Sequence, residues 1–137
     1  MKKLFCLIIS LLMILSLTAC GASDASDGTL KVAIVQQLDH SSLDEIRIAI
    51  ESQLKTKMEN IEIKTYNGQN DASMLNQIGT EVVSGDFDIV IPIATLAAQS
   101  MVTAADGTDI PIVYAAISDP EGAGLTGIDT VTDTFHG

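Results

Sequence analysis

Four short polar segments each follow directly on an apolar, β-rich run: Gln36, Gln37, Asp39 and His40; Asn67, Gln69 and Asn70; Thr95 behind Ala94; and Ser118 with Asp119. In open α/β sheets ligands bind outside the carboxyl ends of the strands, so these segments are where chemistry is to be sought. Most of their groups are neutral donors and acceptors. That suits recognition of a small polar solute better than bond-making. Thr95 is the single hydroxyl between the apolar DIVIPIA and the Ala-rich segment that follows. The first amides of a helix lack intrahelical acceptors and the helix dipole favours an anion there. A threonine at that point either caps its own helix or helps hold a ligand, and the residues alone leave both readings open.

Common catalytic signatures are missing. No Gly-rich phosphate loop follows the first strand, which removes the dinucleotide and P-loop readings. There is no GxSxG elbow. Pro92 to Thr95 stand where a receiver domain would carry an aspartate. His40 and His136 have no ligand-type spacing, so neither a metal nor any other cofactor is expected, and no residue is assigned as catalytic.

The elements that must position these segments alternate along the chain. LKVAIV (30–35) reads as a strand, and Ser42 with Glu45 has capping-box spacing ahead of a helix over 42–58, striped by Leu43, Ile46, Ile50, Leu54 and Met58. IEIKTY (61–66) is the second strand. Asp71 can cap a helix carrying Met74, Leu75, Ile78 and Val82 that closes at Ser84-Gly85. DIVIPI (88–93) is the third strand, apolar enough for cover on both faces. An Ala-rich helix over 95–105 turns Ala97, Ala98, Met101, Val102 and Ala105 inward, and IPIVYAAI (110–117) is a fourth strand. Pro92 and Pro111 are unusual inside a sheet. LTGI (125–128) is a candidate fifth strand. Strand and helix in alternation imply an α/β fold: a three-layer parallel sheet with helices on both faces.

The first residues belong to export rather than to this fold. Lys2 and Lys3 precede an apolar run from Leu4 to Leu17, short of the roughly 20 residues needed to span a bilayer, so a secretory signal is preferred to a transmembrane anchor. Leu17-Thr18-Ala19-Cys20 resembles the bacterial lipobox, in which the signal is cleaved before the cysteine and the thiol carries diacylglycerol. By that resemblance residues 1–19 are a signal peptide, Cys20 is the lipidated first mature residue, and 20–29 form a flexible tether to a body over 30–137. Cys6 would leave with the signal, so no internal disulfide is expected. The net charge of −11 becomes more negative once Lys2 and Lys3 are removed, which argues against nucleic acid and against electrostatic adhesion to anionic lipid. The membrane is reached through the lipid.

IVQQLDHSSLDE, YNGQND, IATLAAQS and AAISDPEGAGL, in this order, resemble the ABC-transporter substrate-binding lipoproteins of the tryptophan/tyrosine-type family. The resemblance implies the N-terminal lobe of a type I periplasmic-binding-protein-like fold, incomplete because family members are about twice this length and close two lobes on the ligand. It implies a lipid-anchored receptor on the extracytoplasmic face of the cell membrane, delivering an amino-acid-like solute to an ABC permease. Thr95 would then help hold the ligand carboxylate, with the neighbouring amides of Ala97. Gln36, His40, Asn67, Gln69 and Asp119 are further contacts, Asp119 as partner to an ammonium group. For these five the competing role is turn chemistry. Two other functions stand beside this one: a membrane-tethered α/β protein-interaction module that binds no solute, and an enzyme of flavodoxin-like shape. A lone first lobe is expected to be marginally stable, with an exposed apolar edge and weak affinity.

Overall fold

The computed structural model describes residues 28–125. Six elements follow in order: β1 (Leu30–Gln36), α1 (Ser41–Lys57), β2 (Ile61–Asn67), α2 (Ala72–Ser84), β3 (Ile89–Ile93) and α3 (Thr95–Ala104). The strands form one parallel sheet in the order β2-β1-β3, with Gln36 opposite Asn67 on one side and Ile93 on the other. The carboxyl ends of all three strands therefore meet at one edge, with the end of β1 in the middle.

Side chains alternate between sheet faces, which divides the core in two. Val32, Ile34, Ile91 and Ile93 face α1, which covers them with Leu43, Ile46, Ile50 and Leu54. Ala33, Val35 and Val90 face the other way, against Leu75, Ile78 and Val82 of α2 and Ala97 and Met101 of α3. Cover on both faces is the reason β1 has an unbroken apolar stretch. Ala98 is buried too, whereas Val102 and Ala105 are only half-buried.

Helix ends depart in places from what the spacing suggests. Asp71 caps α2 as expected, its Oδ1 accepting from the Met74 amide at 2.7 Å. The N-cap of α1 is His40, not Ser42: the imidazole Nδ1 accepts from the Ser42 amide at 3.3 Å, and the helix already includes Ser41. At the other end Met58 turns extended, with φ −127° and ψ 123°, and leaves the apolar stripe.

The fourth strand is reduced to two parallel bridges, Val90 with Ile112 and Ile93 with Ala115. Pro92 explains the gap. Val90 exchanges bonds with Pro111 O and the Val113 amide, the Ala115 amide donates to Pro92 O, and Ala94 donates to Ala115 O, each at 2.9–3.0 Å. The missing member of the ladder is the one that a Pro92 N–H would donate, and proline has none. Of LTGI only Leu125 lies within the described residues, where it is buried. The signal, Cys20, most of the tether, His136 and the rest of the candidate fifth strand lie outside them. Among the described residues no helix is long and apolar enough to cross a membrane.

Candidate functional site

The end of β1 sends its two glutamines to opposite faces, and this decides their roles. Gln36 is 2% exposed and turns under α1. Its Nε2 donates to Leu38 O at 2.7 Å and to Asp44 Oδ1 at 3.0 Å, while its Oε1 accepts from Arg47 Nε at 3.1 Å. Arg47 is held in turn by Glu51 at 2.7 Å. Gln36 thus has its polar atoms engaged within the protein. It lines, with Asp39, Asp44, Arg47, Thr65, Tyr66 and Asn67, a polar cavity of about 200 Å³ beside the first turns of α1.

Gln37 faces the opposite way, and it is the residue on which the rim is assembled. Its Oε1 accepts from the Leu96 amide at 3.0 Å and its Nε2 donates to Asn70 Oδ1 at 2.9 Å. Its own carbonyl accepts from the Asn70 amide at 2.8 Å. One side chain so joins the turn after β2 to the start of α3. The sequence marks Gln37 only as one of several turn residues. Strict alternation from the buried Val32 and Ile34 puts Gln36 on the α1 face, and that was the available signal for Gln37.

The turn after β2 is built for a sharp reversal. Asn67 Oδ1 accepts from the Gln69 amide at 2.7 Å, and its Nδ2 donates to Asp39 Oδ1. Gln69 and Asn70 both have positive φ, 51° and 56°. Gly68, just before them, is buried, and a side chain does not fit there: a Cβ would lie 2.6 Å from Leu75 Cγ and 3.1 Å from Gln37 O. The Gln69 side chain is exposed.

Thr95 is the first residue of α3 and not its cap. The N-cap is Ala94, with φ 76° and ψ 163°, a conformation that is essentially glycine's and costs an L-residue on the order of 1–3 kcal/mol. Its amide is tied to Ala115 O at 3.0 Å, and its carbonyl accepts from Ala98 at 3.1 Å. No side chain of its own caps the helix, so the role falls to Gln37 acting across the sheet edge. Thr95 is exposed, and its hydroxyl has no partner among the described residues. Ala97 is fully buried, which keeps its amide from solvent.

Two further expected contacts are engaged in local turns. His40 is spent at one nitrogen as the α1 cap. Asp119 accepts from the Gly122 amide at 2.9 Å through Oδ1, closing the turn that Gln99 Nε2 ties to α3 through Ala123 O at 2.8 Å. The structure therefore joins Asn70 to the start of α3 beside Thr95 through Gln37, leaves the Gln69 side chain exposed in the same turn, places Asn67 with Gln36 at the α1-side cavity, and buries Gln36 and Ala97. Among the described residues no group of three or more His, Cys, Asp or Glu could hold a metal ion. The shifted titrations lie away from this rim: Lys64 is raised, and Glu81 lowered, by the hydrogen bond between them at 2.6 Å and by Tyr66.

The surroundings of this rim match known proteins. Residues 31–131 match the model of the ABC transporter substrate binding protein family. A tyrosine-binding protein of Clostridioides difficile is 32% identical over 140 aligned residues, covering 90% of this chain and 40% of the relative. A Streptococcus pneumonia ABC domain solved in complex with L-Trp superposes with a TM-score of 0.66 at 33% identity, over 71% of this chain and 33% of that one. A ligand-free, open substrate-binding protein with adhesive properties from Clostridium difficile gives 0.65 at 35% identity, over 71% and 34%. The chain thus spans about 40% of the length of the curated relatives it matches. With an α/β parallel sheet of the periplasmic-binding-protein type and a family match over most of its length, this chain belongs to the ABC transporter substrate-binding proteins.

Proposed function

We propose that the chain is the first lobe of an extracytoplasmic solute receptor that presents an amino acid, or a similar small carboxylate-bearing solute, to an ABC permease. Cys20 carries the lipid that holds it at the membrane. The observation that carries the solute reading is the opening of α3, where an exposed Thr95, whose hydroxyl has no partner among the described residues, stands at the positive end of a helix. A carboxylate placed there would accept from Thr95 Oγ1 and from amides of the first turn. Hydrogen bonds to a charged group contribute about 1.5–3 kcal/mol each.

Gln69 and Asn67 supply neutral polar contacts from the neighbouring turn, and Asp119 offers a negative charge to an ammonium group. His40 adds its second imidazole nitrogen from the turn after β1. Gln36 and Ala97 act from beneath: one fixes the end of β1 to α1, the other packs the first turn of α3 on the sheet. The relatives that bind tyrosine or carry L-Trp make aromatic amino acids the first compounds to try.

The test is a thermal-shift screen of the full-length protein encoded by the gene against the common amino acids. A solute that binds only the folded state raises Tm. The reading predicts a rise with at least one amino acid and a smaller one with the corresponding amine lacking a carboxylate. Equal shifts from both, or no shift from any amino acid, would remove it.

A further inference from the structure

We infer that Gln37 is a built-in competitor for the solute: its carboxamide oxygen occupies the Leu96 amide that a ligand carboxylate would use. This rests on the solute reading above and adds to it a residue that sets affinity. Helices normally satisfy their first amides from the preceding few residues. Here the cap position holds Ala94, which has no side-chain acceptor, and the acceptor comes from a residue 59 positions away. The Thr95 hydroxyl has no partner among the described residues, while the Leu96 amide beside it is already taken.

The side chain is positioned to release as well as to hold. Gln37 is only half-buried, and its other end is tied to Asn70 Oδ1 in an exposed turn, so the carboxamide can swing away without leaving a buried group unpaired. A ligand oxygen carrying a full charge makes a hydrogen bond roughly twice as strong as that of a neutral carboxamide and can replace it. The displacement is a constant penalty on every ligand that seats an oxygen on Leu96. It reduces apparent affinity by the fraction of sites left open. Ligands that do not use this amide escape it.

Calorimetric titration of the full-length protein with L-tryptophan and with tryptamine, which lacks the carboxylate, tests this. Gln37→Ala is expected to tighten L-tryptophan binding about two- to tenfold, the worth of one displaced neutral hydrogen bond, and to leave tryptamine unchanged. Gln37→Met, which keeps the length of the side chain without its polar atoms, should do the same and covers the case in which the alanine variant folds poorly. Gln37→Glu should weaken L-tryptophan, because a fixed carboxylate competes harder and repels the ligand's own. Unchanged or weaker L-tryptophan binding in both the alanine and methionine variants would overturn the inference. If the wild-type protein itself does not distinguish L-tryptophan from tryptamine, the carboxylate reading fails, and this inference fails with it.

Discussion

The Gln37 side chain and the Leu96 amide lie 59 residues apart in sequence and meet at 3.0 Å, closing the opening of α3 from the end of the central strand. Through the same side chain the turn after β2 is held at 2.9 Å. The rim is therefore held from the end of the middle strand, which pairs with β2 on one side and β3 on the other.

The strained position beside this contact gives a stability prediction. Ala94 holds φ 76° and ψ 163°, where glycine pays no Cβ penalty. Ala94→Gly should relieve part of the strain against a smaller loss from the more flexible unfolded chain, for a net gain of about 0.5–2 kcal/mol in urea unfolding. A loss of stability would mean that the backbone there is relaxed.

Thr95 makes the complementary case. Loss of a capping threonine typically costs about 1 kcal/mol. Because Ala94 is the cap and the Thr95 hydroxyl is unpartnered, Thr95→Ala should change the stability of the unliganded protein by less than about 0.5 kcal/mol. A larger loss in denaturant unfolding would return Thr95 to a structural role.

Gln36 should behave in the opposite way. Gln36→Met keeps the volume but removes one hydrogen bond each from Leu38 O, Asp44 and Arg47 in a part-buried setting. The expected cost is about 1–3 kcal/mol, with no selective effect on carboxylate ligands over their amine analogues.

A pH dependence is predicted away from the site. The hydrogen bond from Lys64, and then that from Tyr66, lowers the Glu81 carboxyl below its usual range. A carboxylate lowered on folding contributes stability above its unfolded pKa, and this is lost as the pH falls through the lower folded value. Both side chains are half exposed, so the contribution is small and screened by salt. An NMR titration should show the Glu81 midpoint moving back up in Lys64→Met; an unmoved midpoint would mean the pair does not persist in solution.

How far the sequence could be read follows from which interactions are local. The order of β1 to α3, the Asp71 cap and the burial of Ala97, Ala98 and Met101 came from periodicity and from turn chemistry within a few residues. Ser42 and Glu45 had the spacing of a cap, but the helix begins one residue before Ser42 and His40 takes that place. The role of Gln37 was illegible because its partners, Asn70 and Leu96, come from other turns. Thr95 read as a possible cap because a hydroxyl before an Ala-rich helix normally is one, and nothing in the local sequence announces that Ala94 adopts a glycine-like conformation. The fourth strand was legible as a path but not as a regular ladder, since one absent N–H at Pro92 interrupts it.

The most direct test of the central claim, that the opening of α3 seats a ligand carboxylate, is the Kd of the amino acid that most raises Tm, for the full-length protein and its Thr95→Ala variant. A weakening of about 1.5–3 kcal/mol, with the unliganded stability unchanged, is predicted. Equal affinities in the two proteins would contradict it.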